Sequence, residues 1–486
     1  MLEIVMKISL RSGRRPVVGL PGKMKVVGVV SGSLTEAGQE LDRAYSGILS
    51  KALKLGKFRG EFGASLTVMA EDVFLVILGL GQKRGVTADR VREAGALVAQ
   101  KALELRVREV AVENFFADRL GKEAASYALA EGLYLGSYRF NRYKSDAKPV
   151  KVRYWIARGR GRAVEEAERM ARATTFARDL ANEPPNVLTP EALADAAVSL
   201  ADASGFEARV LGPEEIEELG MGAFLAVARG SDHPPRFIHL IYRPEEKVRR
   251  RVAIVGKGLC FDTGGYSLKP TQNMRHMKAD MSGAAAVLGT FQALAEFRPS
   301  VEVHGVIAAA ENKISGRAYV VDEVVRTMSG KTVEVVNTDA EGRLTLADAL
   351  YYASREAPEA IVSIATLTGS SVVALGRKIA ALFATEERLA EELRESGALE
   401  GETLWPMPLE PRYEKLLKSD VADLKNVGTR EGGAIQAALF LKQFVRDPFA
   451  HLDIAGPAFQ RESWELGPAG ASGFGVRTLT RWIRSL

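Results

Sequence analysis

From Glu207 to the C-terminus, short apolar runs of strand length alternate with stretches of helical periodicity. That alternation restricts the chain to a helix-covered sheet. The strand candidates are Glu207–Val210, Phe237–Tyr242, Val252–Val255, Val301–Ala309, Thr332–Val336, Ala360–Thr366 and Ala450–Ile454. Helical patterns fall between them at Gly283–Phe297, Leu344–Ala353, Glu386–Arg394 and Ala434–Val445. Strands separated by helices return by crossovers, which predicts a mixed, largely parallel sheet with helices on both faces.

The first third alternates in the same way. Its strand candidates are Glu3–Ser9, Lys25–Val30, Ala64–Met69, Phe74–Leu78, Glu109–Val112 and Val150–Trp155, with helices over Asp89–Leu105 and Glu123–Leu135. A chain of 486 residues outgrows one hydrophobic core, so two α/β domains are expected. Arg162–Leu180 reads as one amphipathic helix, stopped near the paired prolines of Asn182-Glu-Pro-Pro-Asn186. It would connect a smaller N-terminal domain, residues 1–161, through 162–182 to a larger C-terminal domain, residues 183–486. Thr189 and Pro190 have the chemistry of an N-cap and first helical turn. Gly79-Leu-Gly81 follows a strand, but Arg84 stands where a dinucleotide fingerprint needs its third glycine, so this is a turn.

Composition excludes several classes. Basic and acidic residues number 66 and 61, and the clusters at Arg11–Arg15, Arg158–Arg162 and Arg249–Arg251 lack interleaved aromatics. Nucleic acid is therefore not an expected partner. The single cysteine, Cys260, allows no intramolecular disulfide and fits a reducing, cytoplasmic setting. The N-terminus has an early acid and no apolar core of a signal peptide, and no run of apolar residues is long enough to span a membrane. The five histidines share no metal-binding spacing. Any metal centre must be built mostly from carboxylates, which suits Mg²⁺, Mn²⁺ or, at paired catalytic centres, Zn²⁺.

Two segments supply such carboxylates. Asn337-Thr-Asp-Ala-Glu-Gly-Arg343 sets Asp339 and Glu341 two residues apart, before a helical run. In an extended turn those side chains project together and could share one hard cation. The segment Lys257–Asp280 adds Lys257, Asp262 and Asp280 around the pair Gly264-Gly265. As simple structural alternatives, Asp280 and Asp339 could each cap a helix.

Those residues resemble the leucyl (cytosol) aminopeptidase family of two-metal peptidases. Asn337–Arg343 is similar to its signature. Val255–Pro270, Met277–Ala286, Val325–Val335, Ala365–Gly369, His451–Gly456 and Gly470–Thr478 resemble it in order and spacing. The likeness covers roughly Asn182 onward; the N-terminal domain matches in general, macro-like character. The resemblance implies one metal on Asp262, Asp339 and Glu341, and a second on Lys257, Asp262, Asp280 and Glu341. It gives Lys269 and Arg343 catalytic roles, with bicarbonate on the arginine. It places Lys269, Met277, Asp280, Thr366, Gly369, Ala455 and Ala458 around the substrate. It implies removal of N-terminal residues, Leu and similar, by a hydroxide bridging two ions (Mn²⁺ and/or Zn²⁺), in a homohexamer.

The residues suit such roles. Four carboxylates would balance two divalent ions, while Lys269 and Arg343 add positive charge where a tetrahedral oxyanion develops. A lysine ligand would have to be neutral, which burial and an adjacent cation favour. The chain departs from the family pattern at Lys313-Ile314 and Ala318–Asp322, where altered loop geometry is expected, and at Cys260, read as a small buried thiol. Ala458 would leave room for wider side chains. A narrow dipeptidase, acting for example on cysteinylglycine, needs the same ligands. An additional DNA-binding role is the alternative from another class.

Overall fold

The computed structural model describes residues 6–147, 149–446 and 448–486. The chain forms two compact units. One takes the chain up to Arg172 together with Glu462–Ala469; the other takes Ala173–Arg461 and Gly470–Leu486.

The first unit holds β1 (Met6–Gly13), β2 (Met24–Val30), β3 (Ser33–Leu34), β4 (Ser65–Ala70), β5 (Val73–Gly79), β6 (Glu109–Glu113) and β7 (Val150–Ala157). Residues 3–5 of the first strand candidate lie outside the described residues. The helices are α1 (Glu36–Ala44), α2 (Ile48–Leu55), α3 (Ala88–Glu104), α4 (Ala117–Leu120), α5 (Lys122–Gly136) and the start of α6 (Gly161–Asn182). The sheet order is β1-β7-β6-β2-β5-β4, with β3 on β2. Its pairings are parallel except those of β4 with β5 and β3 with β2. Side chains alternate between faces: Val27, Val29, Leu75 and Ile77 pack with Leu41 of α1 and Leu49 of α2. Val26, Val76, Val110 and Val112 pack on the other side with Val98 of α3 and Leu129 and Leu133 of α5.

The second unit continues through α7 (Pro190–Ser204), β8 (Glu207–Leu211), α8 (Pro213–Glu218), α9 (Gly222–Ala228), β9 (Arg236–Tyr242) and β10 (Arg250–Asp262). Thr189 caps α7, its hydroxyl accepting from Ala192 N, with Pro190 in the first turn. Then follow α10 (Thr271–Met274), a 3-10 turn (Met277–Met281), α11 (Ser282–Phe297), β11 (Val301–Asn312), β12 (Val324–Arg326), β13 (Thr332–Glu334) and α12 (Glu341–Ser354). The remainder includes β14 (Ala360–Ala365), α13 (Gly369–Leu375), β15 (Ala380–Ala384), α14 (Glu387–Leu399), β16 (Leu404–Pro406), β17 (Leu424–Lys425), α15 (Gly433–Lys442), β18 (Phe449–Asp453) and α16 (Val476–Ser485).

The main sheet runs β16-β15-β18-β14-β10-β11-β9-β8. Its centre, β18-β14-β10-β11, is parallel, and antiparallel strands flank it. Val252 and Ile254 face the core containing Leu288 of α11 and Leu479 of α16. Ala253 and Val255 face the core containing Phe224 of α9 and Leu346 of α12. The expected helix-covered mixed sheet is therefore present.

Three sequence expectations change. The Thr332–Val336 candidate belongs instead to a small separate sheet, β12-β13-β17. The edge strand β16 and its neighbour β15 were not anticipated, because Ala-rich and Pro-containing runs carry little strand signal. And β10 is far longer than Val252–Val255, running to Asp262. Its pairing with β11 slips between Leu259 and Phe261. Residues five apart in a regular strand point to opposite faces; this one-residue bulge at Cys260 returns Lys257 and Asp262 to the same side.

Candidate active site

The carboxyl ends of β10, β11 and β14 meet the loop before α12, where open α/β sheets place their sites. Lys257 and Asp262 come from β10, Asp280 from the 3-10 turn, and Glu341 and Arg343 from the first turn of α12. Asp339 lies just ahead of that helix, and Lys269 on the loop after β10. The N-cap positions of α11 and α12 are Met281 and Ala340, neither with a side-chain cap. Asp280 and Asp339 are thus free of the capping roles open to them from sequence.

The two lysines interleave with the acids. Lys257 Nζ stands 2.8 Å from Asp280 Oδ2 and 2.8 Å from Glu341 Oε1, and donates to the Thr366 carbonyl at 3.2 Å. Lys269 Nζ stands 2.7 Å from Asp262 Oδ2 and 2.5 Å from Asp339 Oδ1. Asp339 and Glu341 therefore engage different lysines. Glu341 has already entered the helix, so the extended-turn geometry inferred from the i, i+2 spacing does not hold.

Gly264 and Gly265 shape the turn between the lysines, at φ +87° and +63°, which a side chain rarely adopts. A Cβ on Gly264 would also come within 2.9 Å of Asp339 Oδ1.

Oxygens of Asp262, Asp280 and Glu341 all lie within 4.8 Å of one another, the one such metal-competent group among the described residues. Burial and the neighbouring Glu341 and Asp280 push Asp262 up to about 8, despite the lysines. Burial raises Asp280 to about 6, with Lys257 working against it. Burial also raises Asp339. For Glu341 burial acts upward, but the two ammonium groups outweigh it and hold the carboxyl below its ordinary value. Burial would lower Lys257, yet Asp280, Glu341 and Asp262 together raise it. Metal ligation by Lys257 would need its neutral amine, which an adjacent dication favours.

These observations fit divalent cations. The donors are hard oxygens. Glu341 Oε2 is buried without a hydrogen-bond partner, and the mutual repulsion that lifts Asp262 is what a dication would relieve.

Arg343 is 7% exposed. Its Nη1 donates to the Asn426 carbonyl at 2.6 Å, while its Nε is buried without an acceptor. Burial lowers the guanidinium to about 10.

Of the expected substrate-binding residues, Thr366 joins the centre directly, its hydroxyl donating to Asp280 Oδ1 at 2.7 Å. Met277 opens the turn that carries Asp280, and Gly369 opens α13. Ala455 N donates to Asp453 Oδ1, which also accepts from Leu367 N, so the two segments share one anchor. Ala458 is 2% exposed and packs within the main core.

Several supporting residues escaped the sequence reading. Asn312 donates through Nδ2 to Asp262 Oδ1 at 2.8 Å and to the Thr338 carbonyl at 3.0 Å. Tyr319 O–H donates to the same carbonyl at 2.8 Å. Tyr319 belongs to the departing segment Ala318–Asp322 and Asn312 directly precedes Lys313-Ile314, so the departures border the centre. Asn426 accepts from Val336 N at 2.8 Å and donates to the Asn337 carbonyl at 2.7 Å. It braces the loop that leads to Asp339. Nothing in the local sequence around Asn426 signals this; its partners lie about ninety positions away.

A two-domain α/β protein with a metal-competent carboxylate cluster at the ends of its parallel strands has the architecture of a metalloenzyme. The comparisons narrow this. The profile of the cytosol aminopeptidase family, catalytic domain, matches residues 175–480, and that of its N-terminal domain matches 26–147. A probable cytosol aminopeptidase of Persephonella marina is 43% identical, with 92% of this chain and 93% of the relative covered. Another, of Aquifex aeolicus, is 41% identical with 98% of each covered. A mutant of tomato leucine aminopeptidase superposes with a TM-score of 0.90 at 37% identity, covering 99% of this chain and 97% of that one. The bottromycin maturation enzyme BotP in complex with Mn gives 0.86 at 36% identity, covering 96% and 99%. The chain belongs to the cytosol aminopeptidase family. It is a metal-dependent aminopeptidase, a hydrolase that removes N-terminal residues from peptides.

Proposed function

We propose that Lys257, Asp262, Asp280, Asp339 and Glu341 hold two divalent ions, with Asp262 and Glu341 shared between them. Convergence of buried Lys257, Asp262, Asp280 and Glu341 from separated segments, with Asp339 joined at the exposed rim through Lys269, is the observation that carries this reading. Bound there, Mn²⁺ or Zn²⁺ would polarise the scissile carbonyl and lower the pKa of a water. Lys257 would lose its proton once cations replace it as the counter-charge. Asp339 would turn from Lys269, whose ammonium is then available to donate to the oxygen that gains charge in the transition state. Arg343, fixed by the Asn426 carbonyl, offers its unpartnered Nε to an anion at the N-terminus of α12; bicarbonate suits that position. Met277, Thr366, Gly369 and Ala455 would border the departing residue. Ala458, packed in the core, would act through the backbone it supports.

We assign the peptidase chemistry to residues 183–486, with 1–161 as the N-terminal domain and 162–182 as the connector. Peptides with N-terminal Leu or a similar residue are the proposed substrates, as the name of the tomato relative suggests. A hexamer and a cytoplasmic setting complete the reading. No described helix is long and apolar enough to cross a membrane.

The test is hydrolysis of leucine p-nitroanilide before and after chelation, with Mn²⁺, Zn²⁺, Co²⁺ and Mg²⁺ restored singly. Activity should vanish with the metal and return with at least one ion. Full turnover in the chelated enzyme would refute the centre. Sedimentation velocity checks the hexamer.

A further inference from the structure

The first unit has a cavity of about 630 Å³ that the peptidase reading leaves unused. It lies over the carboxyl ends of β2 and β6. After β2 the chain turns to α1 on one face of the sheet; after β6 it passes to α5 on the other. Adjacent parallel strands whose connections part in this way leave a crevice between them, the usual ligand position of open sheets.

Two residues with side-chain acceptors, Glu113 and Asn114, line the cavity. Asn114 lines it and is 8% exposed. Its Nδ2 donates to Ser126 Oγ at 2.9 Å. That hydroxyl already donates to the Lys122 carbonyl at 2.6 Å and so must accept from Asn114. The amide orientation is thereby fixed, and Oδ1 is buried with no donor. Beside it, Glu113 Oε2 accepts from Gly28 N at 2.8 Å and from the Thr35 hydroxyl at 2.7 Å, so that both of these bonds fall on one carboxylate oxygen. The exposed lining bears Lys83, Lys122 and Arg158 against Glu36 and Asp118. Arg158 is already paired with Glu40 at 2.9 Å, so Lys83 and Lys122 are the cations offered to a carboxylate.

We propose that this cavity is a second ligand site, which takes a small zwitterion: an amino acid or short peptide with free amino and carboxyl groups. The ammonium would donate to Asn114 Oδ1 and Glu113 Oε1, the carboxylate would meet the exposed cations, and Leu34 and Phe116 would receive the side chain. Burial pushes Glu113 up to about 7, and a bound ammonium would bring it down again. The site stands independently of the peptidase assignment.

Isothermal titration of the full-length, metal-loaded protein with L-leucine tests this. Two classes of site are expected. One should survive Asp262→Asn and be lost, or weakened at least tenfold, in Asn114→Leu. That same site should bind N-acetylleucine, which lacks the ammonium, and leucinol, which lacks the carboxylate, at least tenfold more weakly. Lys83→Ala and Lys122→Ala, both at exposed positions, should each weaken it without threatening the fold. A single class of site that disappears with Asp262→Asn and ignores all three N-terminal substitutions would overturn the proposal. So would adenosine monophosphate binding there in place of leucine.

Discussion

Gly342 shows how much one missing side chain contributes. A Cβ there would lie 2.5 Å from Lys257 Cε and 2.6 Å from its Nζ. The obstructed atoms are the far end of a flexible chain, so Gly342→Ala should cost little stability, since alanine favours a helix by about 1 kcal/mol. It should nevertheless displace the amine and lower kcat/KM at least tenfold; unchanged turnover with leucine p-nitroanilide would refute this. Lys269→Ala and Asp339→Asn should each reduce kcat/KM by about a hundredfold or more, roughly 3 kcal/mol of barrier. Either variant turning over at the wild-type rate would remove that residue from the centre. These residues were legible because they stand in dense local blocks. Asn312 and Asn426 were not, since an isolated asparagine carries no signal until the fold supplies partners.

The bulge in β10 does at the level of an element what Gly342 does at one position. It converts a five-residue spacing into a shared face, and periodicity alone could not show it. Strand pairing also gathers histidines that looked unrelated. Tyr352 O–H donates to His239 Nδ1, His239 Nε2 to His304 Nδ1, and His304 Nε2 to Glu302, at 3.1, 2.9 and 3.0 Å. Every ring nitrogen is satisfied with both rings neutral. Burial lowers His239 to about 3, lowers His304, and lowers His451 to about 3. Unfolded, each regains a value near 6.5 and binds the proton that the folded chain refuses. The stabilisation from His239 and His451 is complete above pH 6.5 and is lost as pH falls toward 3, by up to about 1.4 kcal/mol per pH unit per histidine, and that from His304 is lost in the same direction. Buried Asp348, raised to about 7 by burial, acts in the opposite sense, since its ionisation penalises the fold between its ordinary value and 7. The difference between variants is therefore the test. In urea unfolding, the acid loss should be shallower for His451→Gln than for wild type, and parallel profiles would refute the account.

For the whole molecule, a centre of opposed carboxylates predicts that metal binding and folding are coupled. Mn²⁺ at a hundredfold excess over its Kd should add about 2.7 kcal/mol to the unit that binds it. The thermal midpoint of the second unit should rise with the ion and fall on chelation; a midpoint indifferent to both would argue against a structural metal pair. The sequence by itself determined the alternating elements, the helix-covered mixed sheet and the carboxylate blocks. Each of these rests on contacts or periodicities a few residues long, which local composition records. Tertiary structure alone decided that Lys257 and Asp262 share a face, that Asp339 and Glu341 serve different lysines, and that Asn312 and Asn426 brace the loops around them. Those facts depend on which strands become neighbours and where their register slips. Such pairings are set by packing of the whole core, between residues too far apart in sequence for any local pattern to encode.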